Sequence, residues 1–327
     1  MKALVLAGGE GTRLRPLTYT TPKSLLPICN RPFLEHQLHL MRDHGITDAL
    51  LLTGYLADAF EPFAGRIASE GIRLEVVRET DPLGTAGAVR NVLDRLDDTT
   101  IVFNGDVLTD LDLTYLVASH RDRGATVTLT LTPMDDASAY GLVPIDADGR
   151  VEAFVEKPPP DLAKRGGLIN AGTYVIEPRA LADIPAGQMW SFERQVFPAL
   201  LERGEAVFGF VSKDYWLDIG TPERYLQAHW DVLDGRSNGE PSGRRDGALL
   251  LAEGADAGDA AGPAVLGPGA RAAPGATLER AVLLEGSIVE GGGVVRDSVL
   301  GPGARVVAGA TCESQIVGAE ETVGRGG

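Results

Sequence analysis

Gly8, Gly9 and Gly11 are followed closely by Arg13, Arg15 and Lys23, in the run GGEGTRLRPLTYTTPK. Glycine lets consecutive backbone N–H groups turn toward an anion, and guanidinium and ammonium groups bring fixed positive charge to the same place. The chemistry these residues suit is the holding of phosphate. A glycine turn edged by solvated arginines is the plainer alternative, but a bare turn seldom follows a strand and carries three cations. A Walker A loop is excluded because Thr12-Arg13, not Lys-Ser/Thr, follows Gly11. The dinucleotide fingerprint is excluded because Leu14 stands where its third glycine belongs.

A second chemical group is the carboxylate of Asp106, which closes the run Ile101-Val102-Phe103-Asn104-Gly105-Asp106. Ligands of open α/β sheets gather at the carboxyl ends of strands, so Asp106 is a candidate site residue. A helix cap is the competing role for Asp106 and Asp110, and for Asp110 it is the preferred one. His36, His39 and His44, near Glu35 and Asp43, lack a zinc-ligand spacing and read as the polar face of a helix.

The string Gly-Gly-x-Gly-Thr-Arg-Leu-x-Pro-Leu-Thr with Pro22-Lys23 closely resembles the signature of the sugar-1-phosphate nucleotidylyltransferases. The resemblance continues through Leu83-Gly84-Thr85-Ala86-Gly87, Tyr140-Gly141, Glu156-Lys157-Pro158, Asn170-Ala171-Gly172 and Tyr215 to Pro222, and so covers essentially the whole chain. It implies that Leu6, Ala7, Gly8, Gly9, Gly11, Thr12, Arg13, Gly84, Thr85 and Asp106 bind the nucleotide. It also implies that Tyr140, Gly141, Glu156, Lys157, Asn170 and Asp218 line the sugar-phosphate pocket, with Arg13, Lys23 and Asp106 catalytic. Asp106 and Asp218 are then the expected ligands of Mg2+, a hard cation that neutralises a triphosphate. Ser191-Phe192-Glu193-Arg194-Gln195-Val196-Phe197-Pro198, with Leu83 to Gly87, looks most like the mannose-1-phosphate guanylyltransferases. Gly87, having no side chain, is read as leaving room for a two-ring base.

The elements that must position these residues alternate. An unbroken apolar run, Ala3 to Leu6, predicts a strand buried on both faces. Helices are expected at Phe33 to His44, near Ala57 to Ser69, from Asp81-Pro82 to about Leu96, at Thr114 to Arg123, Trp190 to Leu201 and Thr221 to Val232. Strands are expected at Ala49 to Thr53, Leu74 to Val77, Ile101 to Asp106 and Thr126 to Leu131, with a hairpin of Leu142–Ile145 and Val151–Val155 across Asp146 to Gly149. The fold class is α/β, a Rossmann-like nucleotidyltransferase domain with a mostly parallel mixed sheet.

From Gly235 to Gly247 the chain is rich in turn formers and reads as a linker. Beyond it, Val265-Leu266-Gly267-Pro268-Gly269-Ala270-Arg271 recurs at Val299 to Arg305. Apolar residues return every sixth position at Leu266, Ala272, Leu278 and Leu284, and after a slip at Ile288, Val294, Leu300 and Val306. That period predicts a left-handed parallel β-helix of hexapeptide repeats. The expected domains are 1–234 catalytic, 235–247 linker and 248–327 β-helix.

With 327 residues, 44% of them hydrophobic, there is material for one large domain and a smaller one. A net charge of −16 argues against a nucleic-acid partner. Two distant cysteines give neither disulfide framework nor zinc spacing, and no stretch approaches membrane-spanning length, so a cytoplasmic protein without a membrane partner is expected. The expected reaction transfers a nucleotidyl group from a nucleoside triphosphate, GTP first, to a sugar 1-phosphate, mannose 1-phosphate first. A homo-oligomer is expected. The alternatives are a glucose-1-phosphate thymidylyl-, uridylyl- or adenylyltransferase or a cyclitol-phosphate relative, and, in another class, a non-catalytic regulatory subunit that binds sugar nucleotides. A glycosyltransferase using Asp110-Leu111-Asp112 would not need the glycine cradle. An acyltransferase lacks a histidine on the β-helix, the last being His229.

Overall fold

The computed structural model describes residues 1–96 and 99–324. They form two compact units that interleave along the chain. Of the described residues, the first takes 1–9, 37–96 and 99–216, the second 10–36 and 217–324.

The first unit is built on a seven-stranded sheet: β1 (Ala3–Leu6), β2 (Asp48–Thr53), β3 (Arg73–Arg78), β4 (Thr100–Asn104), β5 (Val127–Met134), β6 (Gly167–Ile176) and β7 (Val207–Val211). Their order across the sheet is β7-β5-β6-β4-β1-β2-β3. β1 runs parallel to both β2 and β4, and only β6 runs against its neighbours. Ala3, Leu4 and Val5 are fully buried, as an unalternating apolar run requires. β5 carries alternating threonines, yet Thr128 and Thr130 are buried too, because β5 is an interior strand whose polar face is covered. Thr130 meets that burial by donating to the Thr173 carbonyl at 2.9 Å. The expected hairpin holds its register through the Leu142–Val155 and Ile145–Val151 bridges, without extended strands.

Several expected elements are corrected. The helix expected near Ala57 to Ser69 is α2 (Phe60–Ile67), and the helix opening at the glycine turn is short: α3 spans Gly84–Arg90 and gives way to a separate turn at Leu93–Arg95. α4 (Leu113–Asp122) is capped by Asp112, whose carboxylate accepts from Tyr115 N at 2.9 Å, and not by Asp110. The expected Trp190 helix begins instead as a π turn at Phe192–Val196 and becomes α5 (Phe197–Glu202). Pro198, which has no N–H to donate, fits the first turn of a new segment better than a continuous helix. On α1 (Phe33–Asp43), His36 and His39 are 6% and 7% exposed, so they do not make a polar outer face. His39 pairs with Glu70 at 2.6 Å inside the first unit, and His36 lies 3.2 Å from the Ile28 carbonyl inside the second.

In the second unit, α6 (Pro222–Leu233) starts at Thr221, whose hydroxyl accepts from Arg224 N. After it the chain forms a parallel β-helix. One face stacks Leu249–Leu251, Ala264–Leu266, Ala281–Leu283, Val299–Leu300 and Ile316–Val317. The second face begins at Arg271–Ala272 and the third at Thr277–Glu279. Ala264 pairs with Ala281 and Val282 with Val299, so a coil takes seventeen residues from there on. The inward side chains are Leu266, Ala272, Leu278, Leu283, Val289, Val295, Leu300, Val306 and Cys312. Their steps run six, six, five, which corrects the expected inward set: Leu284, Ile288 and Val294 lie one position off the core register. The five-residue steps fall at Leu278–Leu283 and Val295–Leu300, where the sequence showed only one slip, of four, between Leu284 and Ile288. Arg244–Asp246, inside the stretch read as a linker, pairs antiparallel with Leu249–Leu251.

Candidate active site

The glycine cradle leaves β1 at its carboxyl end. Within the first unit, Ala7 N donates to the Leu52 carbonyl at 2.8 Å, and Gly8 and Gly9 follow on an exposed turn. A Cβ placed on Gly8 would stand 3.8 Å from Glu79 Oε2 and 3.9 Å from Gly54 N, so the backbone here runs close beside a carboxylate. Glu79 was not among the residues singled out from sequence. Burial raises its pKa, countered in part by the N–H of Leu83, 3.5 Å from Oε2. The only signal was position: an acid directly after β3, at the same strand edge as the cradle.

Asp106 lies two residues past β4, with Gly105 N donating to the Leu6 carbonyl at 2.9 Å. It is half-buried. The sugar-side residues of the same unit converge as well. Asn170 N donates to the Gly141 carbonyl at 3.0 Å, and a Cβ on Gly141 would come 2.9 Å from the Phe154 ring and 3.0 Å from Glu156 Oε2. Gly172 has φ +75° and abuts the Asn104 amide, so a side chain there would displace it. Tyr140 meets Trp216 edge to face at 5.4 Å, and Trp216 Nε1 donates to the Ala171 carbonyl. Lys157 is exposed with a left-handed backbone, φ 52°.

On the nucleotide-side turn, one expectation is corrected, the space beside Gly87. A Cβ on Gly84 would sit 2.6 Å from the Trp190 carbonyl oxygen, and one on Gly87 would collide with the Gln188 carbonyl oxygen. Ala86 N and Gly87 N both donate to the Trp190 carbonyl, and Trp190 N returns a bond to the Leu83 carbonyl. The space beside Gly87 is therefore filled by backbone of the same unit, and does not provide room for a base. Thr85 uses its hydroxyl inward, donating to Glu193 and accepting from Phe192 N.

The second unit holds the remaining cations and the second acid. Gly11 turns with φ +62°, and a short 3-10 turn, Thr12–Leu14, follows it. Thr18 Oγ1 donates back to the Gly11 carbonyl at 3.0 Å. Arg15 is engaged by Glu10 at 2.6 Å and lies over the Tyr19 ring at 5.1 Å, unlike the phosphate-facing role its charge suggested. Asp218 accepts from Gly220 N at 2.7 Å and from Arg224 at 3.3 Å, with Lys23 Nζ at 4.0 Å. The Arg13 guanidinium packs where a Gly220 side chain would be, next to Asp218. Arg13, Lys23, Asp218 and Gly220 thus form one cluster, although Gly220 lies far from the cradle in sequence.

The turn after Lys23 is held from several directions. Pro27–Ile28 and Arg31–Pro32 form a tight hairpin whose central residues, Cys29 and Asn30, both have positive φ, 50° and 64°. Cys29 N donates to His229 Nδ1 at 3.1 Å, and Ser242 N donates to the Cys29 carbonyl at 2.9 Å. His229 is fully buried, and burial lowers its pKa to about 3.

Residues 2–235 match the nucleotidyl transferase family model. The chain is 42% identical over 301 residues to a mannose-1-phosphate guanylyltransferase of Mycobacterium tuberculosis, covering 90% of this chain and 82% of that protein. It is 36% identical over 231 residues to the catalytic subunit beta of the Xenopus tropicalis mannose-1-phosphate guanylyltransferase, spanning 69% of this chain and 63% of that one. Among solved structures, HddC from Yersinia pseudotuberculosis in complex with GMP-PN aligns at TM-score 0.61 and 31% identity, over 71% of this chain and 99% of that one.

Proposed function

We infer, for a chain that belongs to the nucleotidyl transferase family, that its reaction is the transfer of guanylyl from GTP to mannose 1-phosphate, giving GDP-mannose and pyrophosphate. The relatives named above carry that activity in their names, and HddC binds a guanine nucleotide analogue. The observation that carries the choice of base is Glu79. Guanine presents adjacent N1–H and N2–H donors on its pairing edge, and an ionised carboxylate accepts two parallel hydrogen bonds. Glu79 stands beside Gly8 at the cradle's end of the sheet, as an acceptor for that edge.

In this reading an oxygen of the sugar phosphate attacks the α-phosphorus in line. The bond to the β-phosphate oxygen breaks, and pyrophosphate leaves with the electron pair. Arg13 and Lys23 take up charge on the transferring and leaving phosphates, and the glycine N–H groups hold the triphosphate. No covalent enzyme intermediate is needed. Asn170 and Glu156 address the sugar hydroxyls, and Lys157 the sugar phosphate.

Asp106 and Asp218 suit Mg2+ by their chemistry, two hard carboxylate donors, and are the residues we assign to it. When bound, Mg2+ would neutralise triphosphate charge. We further assign the protein to the cytoplasm as a homo-oligomer assembled through the ends of the β-helix. Among the described residues no helix is long and apolar enough to cross a membrane.

The test is pyrophosphate release with GTP, dTTP, UTP and ATP against mannose 1-phosphate and glucose 1-phosphate. GTP with mannose 1-phosphate should lead in kcat/KM by more than about tenfold, or about 1.4 kcal/mol of transition-state binding. A lead for dTTP or UTP with glucose 1-phosphate would overturn the guanylyl assignment.

A further inference from the structure

Two motifs far apart in sequence, Leu83 to Gly87 and Ser191 to Pro198, close on one carboxylate. Glu193 Oε2 accepts from the Ser191 hydroxyl at 2.6 Å and from the Thr85 hydroxyl at 3.2 Å. Its other oxygen, Oε1, accepts from the Tyr174 hydroxyl at 3.2 Å. Tyr174 is fully buried, held among Phe192 and Phe197 with ring centroids 5.2 to 5.6 Å apart. Its hydroxyl accepts from Asn170 Nδ2 at 2.8 Å, and Asn170 Oδ1 accepts from Gly172 N at 3.2 Å.

We propose that Glu193 is a positioning residue that sets the nucleotide-side turn and the sugar-side amide of Asn170 together. The argument is one of proton direction. A carboxylate only accepts, so Tyr174 must give its single proton to Glu193, which leaves the phenol oxygen as acceptor for Asn170. That requires the NH2 end of Asn170 to face Tyr174, and the N–H of Gly172 independently requires the oxygen end on its own side. One amide orientation satisfies both, leaving the second Nδ2 hydrogen and an Oδ1 lone pair for the acceptor sugar. On the other arm, Thr85 gives its proton to Glu193 and must accept from Phe192 N, 3.0 Å away, which pins the first turn of α3 to the π turn. The π turn presents Glu193 to both arms, in keeping with the frequent use of such turns at functional sites. This inference rests on the sugar-phosphate role given above to Asn170 and on the nucleotide-side role expected of Gly84 and Thr85.

The experiment is a set of full-length variants, each first checked for its unfolding transition. Tyr174→Phe keeps the ring and cuts only the sugar arm. It should raise KM for the sugar phosphate about fivefold to tenfold and leave KM for the nucleotide within twofold, a size in line with one buried hydrogen bond. Thr85→Val cuts only the nucleotide arm and should show the reverse split. Glu193→Gln, which sets an NH2 group against a hydroxyl donor, should raise both, and the Thr85→Val/Tyr174→Phe double variant should reproduce it. Calorimetric titration of mannose 1-phosphate into Tyr174→Phe supplies a readout apart from turnover, with the same loss expected in Kd. Folded Tyr174→Phe and Glu193→Gln enzymes with both KM values within twofold of wild type, or with kcat alone reduced, would overturn the proposal. If the unaltered enzyme prefers another nucleotide and sugar phosphate, the guanylyl reading fails, and the KM split measured on the preferred pair decides this inference by itself.

Discussion

The amide of Asn30 donates to the carbonyl of Leu266 at 3.1 Å, fastening the turn that follows Lys23 to the first stacked face of the β-helix. The same amide reaches the Ser242 carbonyl at 3.2 Å, and Arg31 Nε donates to the Glu240 carbonyl at 3.0 Å. A hairpin with two non-glycine residues at positive φ persists only where its surroundings over-determine it, and these contacts do so.

Removal of everything after Ser237 should therefore loosen residues 15–31 as well as shorten the chain. We expect the truncated protein to retain the seven-stranded sheet, to be cut by protease within that segment, and to lose at least tenfold in kcat. Asn30→Ala in the full chain should give a milder form, lowering stability by about 1 kcal/mol for the two bonds lost. Limited proteolysis with mass mapping checks both. A truncated enzyme with wild-type turnover and an intact segment would refute the link.

Asp106→Asn and Asp218→Asn preserve shape and remove a charge apiece. Either should reduce kcat by about 10² to 10³ at saturating Mg2+ and raise the Mg2+ concentration needed for half-maximal rate. The rate as a function of Mg2+, with circular dichroism confirming the fold, is the measurement.

Glu79→Gln should lower kcat/KM for GTP by about 1–3 kcal/mol, roughly tenfold to a hundredfold, and narrow the gap to UTP and dTTP, since an amide pairs with a base edge that mixes donor and acceptor. Because burial raises the Glu79 pKa, its ionised form is lost on acidification sooner than for an exposed glutamate. KM for GTP should rise as pH falls toward that raised pKa, and the Gln variant should lack this rise. A pH profile of kcat/KM in both enzymes checks the sign.

Gly87→Ala should destabilise the protein by about 2–4 kcal/mol whichever nucleotide is offered, because the added methyl meets the Gln188 carbonyl. A changed ratio of GTP to dTTP efficiency with unchanged thermal stability would contradict this.

His229 holds its neutral form down to about pH 3, while the unfolded chain protonates it near 6.5. Nδ1 accepts from Cys29 N, so the proton sits on Nε2, for which no partner is found among the described residues. Its contribution to stability is present above pH 6.5 and is lost as pH falls toward 3, at about 1.4 kcal/mol per pH unit. Chemical denaturation from pH 7 to 4.5 should show this limb, and His229→Gln should flatten it.

The sheet and the cradle were legible because their signals are local. Ala3 to Leu6 is apolar at every position, and the glycines stop it abruptly. The coil period was legible for the same reason, although a step of five hidden among steps of six shifted Leu284, Ile288 and Val294 off the true register. Gly87 misled because a missing side chain marks close approach without saying by what, and the Gln188 to Trp190 backbone comes from a hundred residues away. Glu79 lies in no motif, and the Ser191 to Pro198 motif gave Glu193 no role by itself. Their roles arise from which strand ends and turns the fold brings beside them, and a single sequence does not record that.

The six-six-five coil imposes arithmetic on how this chain can change length. Removing or duplicating seventeen residues returns every inward side chain to the core, as the reappearance of Val265 to Arg271 two coils later at Val299 to Arg305 illustrates. Removing six would carry each later residue onto a different face of the prism, setting Arg271 and its counterparts over strands they do not match. Beyond Ala264 the β-helix can thus grow or shrink only in whole quanta, and tolerance to insertions there should be periodic along the sequence, whereas an insertion in a surface loop is tolerated by degrees.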